Sequence, residues 1–424
     1  METKSQQPRA HLLLLVAGVA LAASLVMVLF VFRSQGVVAN AGDPYDYGKI
    51  AHGFVEHGFD KLTRRAAMLY PHVLAGFYWL GASDRAVQFF QVLLHTASSS
   101  LVFIIGRHLF NSRTGVLAGL AVAVHPMLLR YVPDLHTETL LVFLSVLMTW
   151  CAIRFYEAPT LKNGFFCGAV GITAAIAKGV LLPFSLAFGA VMFVRGLLKM
   201  GTPNPIAGVM VMFATMAVLI APWTYRNYQV TNGKFVMITP GMPDAFLRGY
   251  IFTRKEFATL QKPPYTDAEN ESNALFRRIA KESGTTWELD EVQDDVNNSK
   301  EMKRMIREHP IDTVRKVVVG MFTFWYEMTS LANSLIPASL ALISWVLAFF
   351  GLRRAHQEHR PAWLLLLPIL VLNAFVALLV PLGRYSTPIL PLLCILAAFG
   401  VDTLLEKFKA NRAAADSGSN SPAT

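Results

Sequence analysis

The sequence predicts an all-α polytopic membrane protein with about ten transmembrane helices. Two observations carry that expectation. Hydrophobic residues make up 54% of the 424-residue chain and charged residues only 16%, against about 25% charged in a soluble domain. The apolar residues are also gathered into runs near the roughly 20 residues that cross about 30 Å of hydrocarbon.

In chain order the runs are His11–Phe32, Ala86–Phe110, Thr114–Leu129, Leu135–Tyr156, Asn163–Ala177, Gly179–Val194, Ile206–Tyr225, Leu331–Phe350, Ala362–Val380 and Thr387–Leu405. Ala39-Asn40-Ala41, after the first run, has the small-x-small pattern of a cleavage site. The run itself is about 22 residues, longer than the 7–15 of a signal-peptide core, and Arg33 intervenes, so a retained span is expected. Between the first two runs, Tyr47–Phe59 places Tyr47, Ile50, Ala51, Phe54, Val55 and Phe59 at helical spacing, with Lys49, His52 and Glu56 opposite. That pattern predicts a short helix on the membrane surface. Met68–Leu80 is apolar and aromatic but too short to span. The two segments suit loop anchors and the walls of a lateral entrance for a lipid-linked molecule equally well.

The long segment after Tyr225 contains turn residues at Asn232-Gly233 and Pro240-Gly241-Met242-Pro243. Helical patterns follow at Ala268–Glu282, Leu289–Glu308 and Pro310–Met328. No alternating strand pattern is long enough for a sandwich, so a small helical cap is expected. The organisation is then a membrane domain over 1–225 whose first outer loop, 33–85, carries the chemistry; an outer-face segment, 226–330; C-terminal membrane helices, 331–412; and a disordered tail, 413–424.

Short-loop cations set the orientation. Arg107, Arg113, Arg154, Lys162, Arg195, Lys199, Arg353, Arg354 and Arg360 fall on one side of a ten-span topology, with both termini. That side is expected to be cytoplasmic. The net charge of +10 is therefore mostly topological and predicts no nucleic-acid partner. Cys151, Cys167 and Cys394 all lie in apolar runs and show neither disulfide nor metal spacing. No tight His/Asp cluster is visible, so no obligatory metal is expected, and use of a divalent metal stays open.

Ionisable residues recur at the outer ends of the spans: Asp43 and Asp46 after the first, His136 and Glu138 opening the fourth, Lys178 after the fifth, Arg226 closing the seventh, and Arg384 before the tenth. Each alone fits an interface anchor that snorkels to water. Together they put two sets of opposite sign on one face. Carboxylates there suit a general base, and Lys178, Arg226 and Arg384 suit a phosphate clamp.

Several ordered motifs accompany these residues: Asp43-x-x-x-Tyr47-x-x-x-Ala51, Tyr70-Pro71, Gly106-Arg107-x-Leu109-Phe110, His125-Pro126, Thr137-Glu138-Thr139-Leu140, Pro222-Trp223-x-x-Arg226-Asn227, His309-Pro310 and Arg384-Tyr385-x-x-Pro388. On these the chain resembles the polytopic GT-C glycosyltransferases of the protein O-mannosyltransferase and aminoarabinose-transferase type, family 39-like. The resemblance implies a GT-C fold and an active site on the outer face. It implies a polyprenyl-phosphate sugar as donor, inversion at the sugar carbon, and Asp43 in the position of the family's catalytic base. Tyr47, Asp46, Glu138 and His136 are then candidates for acceptor or sugar binding, and Lys178, Arg226 and Arg384 for the donor phosphate. Glu138 fits sugar binding, acceptor binding or bracing of the base. The expected partners are membrane lipids, the lipid-linked donor, and a glycan, lipid or protein acceptor, in a bacterial inner membrane. Two departures stand out: Asp43-Pro44 where many relatives have Asp-Glu, and Arg65-Ala66-Ala67 where many have Arg-Pro-Pro. The alternatives are a lipid-linked sugar flippase or transporter and a polysaccharide polymerase or ligase. Transporters usually show internal inverted repeats and broken helices near the midplane, and neither is visible here; the charges cluster at one face.

Overall fold

The computed structural model describes residues 10–31, 43–58, 69–200, 203–255, 264–328 and 330–419. Among the described residues there are helices and no strands. α1 (Ala10–Val26) runs into a π-helical turn, Met27–Val31. The candidate cleavage site at 39–41 and the Arg65-Ala66-Ala67 departure lie outside the described residues. α2 (Asp43–His57) and α3 (Leu69–Trp79) stand where the two surface segments are expected. In α2, Pro44 occupies the first turn, where its missing N–H removes no helical bond. The carboxylates of Asp43 and Asp46 stand at the positive end of the helix dipole.

α4 (Asp84–Leu109) and α5 (Ser112–Ala123) form the next hairpin, and the Asn111 side chain caps α5 by accepting from the Thr114 N–H at 2.9 Å. The run Thr114–Leu129 is not one helix. It breaks at Val124-His125, because a residue before proline is pushed out of the helical region, and α6 (Pro126–Leu129) restarts with Pro126 in its first turn. α7 (Glu138–Glu157) follows, then α8 (Leu161–Ala177), a 3₁₀ turn Gly179–Leu181, α9 (Leu182–Leu197) and α10 (Ile206–Val230).

The outer segment holds four helices: α11 (Met242–Lys255), α12 (Pro264–Glu282), α13 (Glu291–Glu308) and α14 (Pro310–Thr323). The last three follow the expected patterns. α11 is hidden in the sequence by its start in Pro240-Gly241-Met242-Pro243, which reads as a turn, although a proline in the first turn is compatible with a helix. Phe246 and Leu247 of α11 pack with Phe276 and Ile279 of α12 in a small core. After the outer segment come α15 (Leu331–Gln357), α16 (Trp363–Leu378), a 3₁₀ stretch Gly383–Ile389 and α17 (Leu390–Ser419). α17 carries helix into the expected tail as far as Ser419.

By length and composition six of the described helices are able to cross a membrane, and three shorter apolar ones accompany them. This is a multi-pass membrane protein. Lipid gives little hydrophobic drive for helix association, so close packing matters more. α8 meets α10 through Gly164 and Gly168: a Cβ on Gly164 would run into the Gly208 backbone, and one on Gly168 into that of Met212.

The loop cations and the outer-end residues occupy opposite ends of the bundle. At the end where α4 finishes and α5 begins, Asp402 of α17 accepts from Arg113 Nη1 at 2.7 Å, Asn111 Nδ2 at 2.8 Å and Arg354 Nη1 at 3.4 Å. Its side chain is 1% exposed. Without Asp402, Arg354 keeps Glu358 and Glu406 as partners and Arg113 is nearly half-exposed. Asp402→Ala is expected to destabilise the protein by about 1–3 kcal/mol, the cost of donors left without their acceptor, read as a lowered midpoint in detergent thermal unfolding. An unchanged midpoint would show that the network does not hold α5, α15 and α17 together.

Candidate active site

The other end of the bundle gathers residues from four distant stretches. On α2, Asp43, Tyr47 and Ala51 are spaced four apart and share a face, and Tyr47 and Ala51 are buried. The Tyr47 ring packs edge-on against Tyr70 of α3 at 5.7 Å. The Tyr70 hydroxyl donates to Gln91 Oε1 at 2.7 Å, and Gln91 Nε2 donates to the carbonyls of Val132 and Asp134, both at 2.8 Å. Gln88 Nε2 holds the Pro133 carbonyl at 2.7 Å. Two glutamines on α4 thus fix the turn that leads into α7.

Glu138 opens α7 and is buried. Its carboxylate lies 3.6 Å from Lys178 Nζ and 3.3 Å from His136 Nδ1, and it accepts from the Thr137 hydroxyl at 3.3 Å. Lys178 sits in the extended junction between α8 and the Gly179–Leu181 turn. Arg384, in the Gly383–Ile389 stretch, donates from Nη1 to Asp43 Oδ2 at 2.7 Å. Tyr385 lies between the two cations: Lys178 Nζ is 4.4 Å from its ring centroid, and the Arg384 guanidinium is 5.0 Å away. Arg384 Nη2 also donates to the Tyr385 hydroxyl at 3.2 Å.

The site is therefore two carboxylates matched to two cations around one tyrosine. A cavity of about 140 Å³ opens beside it, lined by Arg130, Tyr131, Asp134, His136, Glu327 and Arg384 among others. Burial raises the Asp43 carboxyl, but Arg384, Lys178 and His136 outweigh burial and the repulsion of Glu138, and hold it below the ordinary carboxylate value. Burial, helped by Asp43 and Glu138, pushes the Tyr47 phenol well up, so it stays a donor. Burial also raises Asp134.

Of the expected site residues, the structure brings together Asp43, Tyr47, His136, Glu138, Lys178 and Arg384. Asp46 is half-buried on the first turn of α2, off the Asp43–Tyr47 face. Arg226 has other company: its guanidinium stacks on Trp223 at 4.8 Å and donates to Asn227 Oδ1 at 3.3 Å, and Trp223 packs edge-on against His72 of α3. The structure adds Tyr385, Gln88, Gln91 and Tyr70, to which sequence reasoning gives no role. Tyr70 and Tyr385 stand in the motifs Tyr70-Pro71 and Arg384-Tyr385-x-x-Pro388, while no signal in the sequence points to Gln88 or Gln91. Among the described residues no group of three or more His, Cys, Asp or Glu side chains is placed to hold a metal ion.

Residues 65–225 match the family described as dolichyl-phosphate-mannose-protein mannosyltransferase. Among solved structures, the chain is similar to the oligosaccharyltransferase AglB of Archaeoglobus fulgidus in complex with an inhibitory peptide and a dolichol-phosphate. Identity is 14% and the TM-score 0.58, over 98% of this chain and 53% of that one. The same enzyme tethered with an acceptor peptide gives 15% identity and a TM-score of 0.57, over 96% of this chain and 51% of that one. The fold is GT-C. The resemblance to the polytopic GT-C glycosyltransferases expected from the motifs is borne out. ArnT of Cupriavidus metallidurans bound to undecaprenyl phosphate is matched at 15% identity and a TM-score of 0.39, over 93% of this chain and 77% of that one. No curated protein matches the sequence. The chain spans about half the length of the oligosaccharyltransferase chains. The family match contains Glu138 and Lys178 of this cluster and stops short of Asp43 and Arg384, so their pairing is a finding of the structure alone.

The Asp43–Arg384 pair makes a pH prediction. A carboxyl held below its unfolded value contributes stability above that unfolded value, and the contribution is lost as pH falls through the folded one. Wild type is expected to unfold at a higher temperature than Arg384→Met at neutral pH. The margin should be no more than about 1 kcal/mol, because the pair is a quarter to a third exposed. The margin should close in acid as Asp43 takes up its proton. A margin that stays constant into acid would rule the ion pair out as its source.

Proposed function

We propose that this protein is a glycosyltransferase that moves a sugar from a polyprenyl-phosphate carrier to an acceptor hydroxyl on the outer face of the membrane, with inversion. The observation that carries the reading is the Asp43–Arg384 pair at 2.7 Å, with Lys178 and Glu138 beside it. A transfer from a phosphate-linked sugar needs two things from the protein: a base for the acceptor hydroxyl and positive charge for the departing phosphate. Both are present within one cluster. The dolichol-phosphate bound to AglB, and the description of the matching family, support a polyprenyl-phosphate carrier.

Each cation of the cluster is matched by a carboxylate. The donor phosphate brings negative charge and competes for Arg384 and Lys178. As Arg384 turns to the phosphate, Asp43 loses the partner that most depresses its basicity. Asp43 then takes the acceptor proton while the acceptor oxygen attacks the anomeric carbon from the face opposite the phosphate. The bond from that carbon to the phosphate oxygen breaks, and polyprenyl phosphate leaves with the electron pair, held by Arg384 and Lys178. No acid is needed for this leaving group, unlike the alkoxide of a glycosidase. Tyr47, a protonated phenol one helical turn from Asp43, stands as a donor for the acceptor or the sugar. His136 lines the cavity beside Arg384, where the sugar ring would lie, and Glu138 stands next to it at 3.3 Å.

The short-loop cations support an orientation with both termini cytoplasmic, and a bacterial inner membrane is the proposed compartment. Transfer of labelled sugar from a polyprenyl-phosphate donor by the purified protein is the direct test. Asp43→Asn is expected to lower turnover by about 10²–10⁴-fold, the usual contribution of a positioned base, with donor binding retained. Near-normal turnover would remove Asp43 from the base role. Movement of intact donor across liposomes, without transfer, would favour a flippase instead.

A further inference from the structure

The outer helical segment holds a buried lysine that the reaction itself does not use. Lys316, on α14, is 2% exposed. Its Nζ donates to the carbonyls of Ala377, Leu378 and Leu379 at 3.0, 2.8 and 3.0 Å. These are the last carbonyls of α16 and its cap, groups that have no partner within the helix. The ammonium sits at the negative end of the α16 dipole, and the Phe246 ring of α11 lies 4.7 Å from it.

α14 continues along the same strip of chain. Thr323 donates its hydroxyl to the Pro381 carbonyl at 3.2 Å, and Gly383 N–H donates to the Glu327 carbonyl at 2.6 Å. A Cβ on Gly320 would press on Ala377. From the other side, Leu382 is buried with Ile251 and Phe252 of α11 and Ala268 of α12, and Tyr385 packs against that cluster. The segment from Ala377 to Gly383 is thus pinned at successive points by the outer helices. The residue that follows it is Arg384.

We propose that Lys316 is a positioning residue: by gathering the three end carbonyls of α16 it fixes the 380–383 loop so that Arg384 reaches Asp43 and, on donor binding, the phosphate. The inference rests on the transferase reading for the identity of that phosphate, but its geometric half stands apart from it. The groups around Lys316 in the cavity it lines are Tyr250 and Arg254 from α11, His309 at the start of α14, and Asp312 and Arg315 on α14 itself; Met305 is the contribution of α13. Asp312 lies 3.9 Å from His309, and Arg254 pairs with Glu271 of α12. Burial lowers the Lys316 ammonium to about 7. The charged, three-donor form therefore dominates below that value and is lost above it.

The test uses the full-length protein and four readouts. Lys316→Met keeps the stem and removes the charge. It is expected to raise the KM for a polyprenyl-phosphate sugar by roughly 10- to 100-fold, the cost of a small misplacement in a positioned site, with the acceptor KM little changed; kcat falls as well, because Arg384 also holds the departing phosphate. Amide hydrogen exchange over 379–386 should quicken in the same variant. In wild type the donor KM should rise as pH passes upward through about 7, and Lys316→Arg, whose charge does not titrate there, should move that rise to higher pH. Unchanged donor KM or unchanged exchange in Lys316→Met overturns the proposal, as does a loss shared equally by kcat and both KM values. If Lys316→Met does not fold, the pH arm decides, and an alkaline rise left in place by Lys316→Arg overturns it. Absence of any transfer by wild type strikes the transferase reading alone. Exchange over 379–386 then decides for Lys316, with quickening in support and no change against.

Discussion

One ion pair ties the two ends of this fold together. Asp43 begins the first described helix after the opening span, and Arg384 stands 341 residues further on, just before the last helix. Their contact requires that α2 lie against the bundle and that the α16–α17 connection reach over it. Each requirement is met by buried packing of its own. Tyr47 and Tyr70 seat α2 on α3, and Gln91 ties Tyr70 to the turn before α7. On the far side the outer helices grip the chain from Ala377 to Gly383. A pair a quarter to a third exposed adds little stability by itself. Its geometry is a product of the surrounding packing.

The charges gathered around Tyr385 balance one another. Four formal charges near the end of a bundle are tolerable because Asp43 faces Arg384 and Glu138 faces Lys178. An unpaired charge at that depth would be costly. On the proposed reading, a donor phosphate exchanges partners with the carboxylates instead of neutralising a surplus of positive charge. Differential affinity for a phosphate then depends on how much better Arg384 and Lys178 pair with it than with Asp43 and Glu138. A bidentate guanidinium–phosphate contact has that advantage in geometry.

Much of this is legible in the chain. The apolar runs fall on helices, Thr114–Leu129 on two, and the spacing Asp43–Tyr47–Ala51 identifies the buried face of α2. Short-range rules suffice there, since period and length are local properties. The charged residues at span ends are also visible, because charge near a bilayer is conspicuous against apolar sequence. Their pairing is not. Nothing in the order of residues says that Arg384 meets Asp43 while Arg226 stacks on Trp223; that is decided by tertiary packing. α11 escapes because its proline-glycine opening reads as a turn. Lys316 escapes for a related reason. It follows Arg315 directly and stands four residues after Asp312, so local pattern reads it as one more solvated charge on an outer helix.

That helix inverts the usual pattern. In a water-soluble cap Ile311, Val314 and Phe322 would face the core and Lys316 would face solvent. Here the three apolar side chains are exposed and the lysine is turned inward. The arrangement suits a helix lying along a lipid boundary, with an apolar side toward the acyl chains and a polar side toward protein. Burying an ammonium costs desolvation, which is why the Lys316 proton is held weakly. Three carbonyls at the end of an apolar helix would otherwise be left without their lysine donor. The lysine and the helix end solve each other's problem, and the loop that grows from that helix end is the one that delivers Arg384.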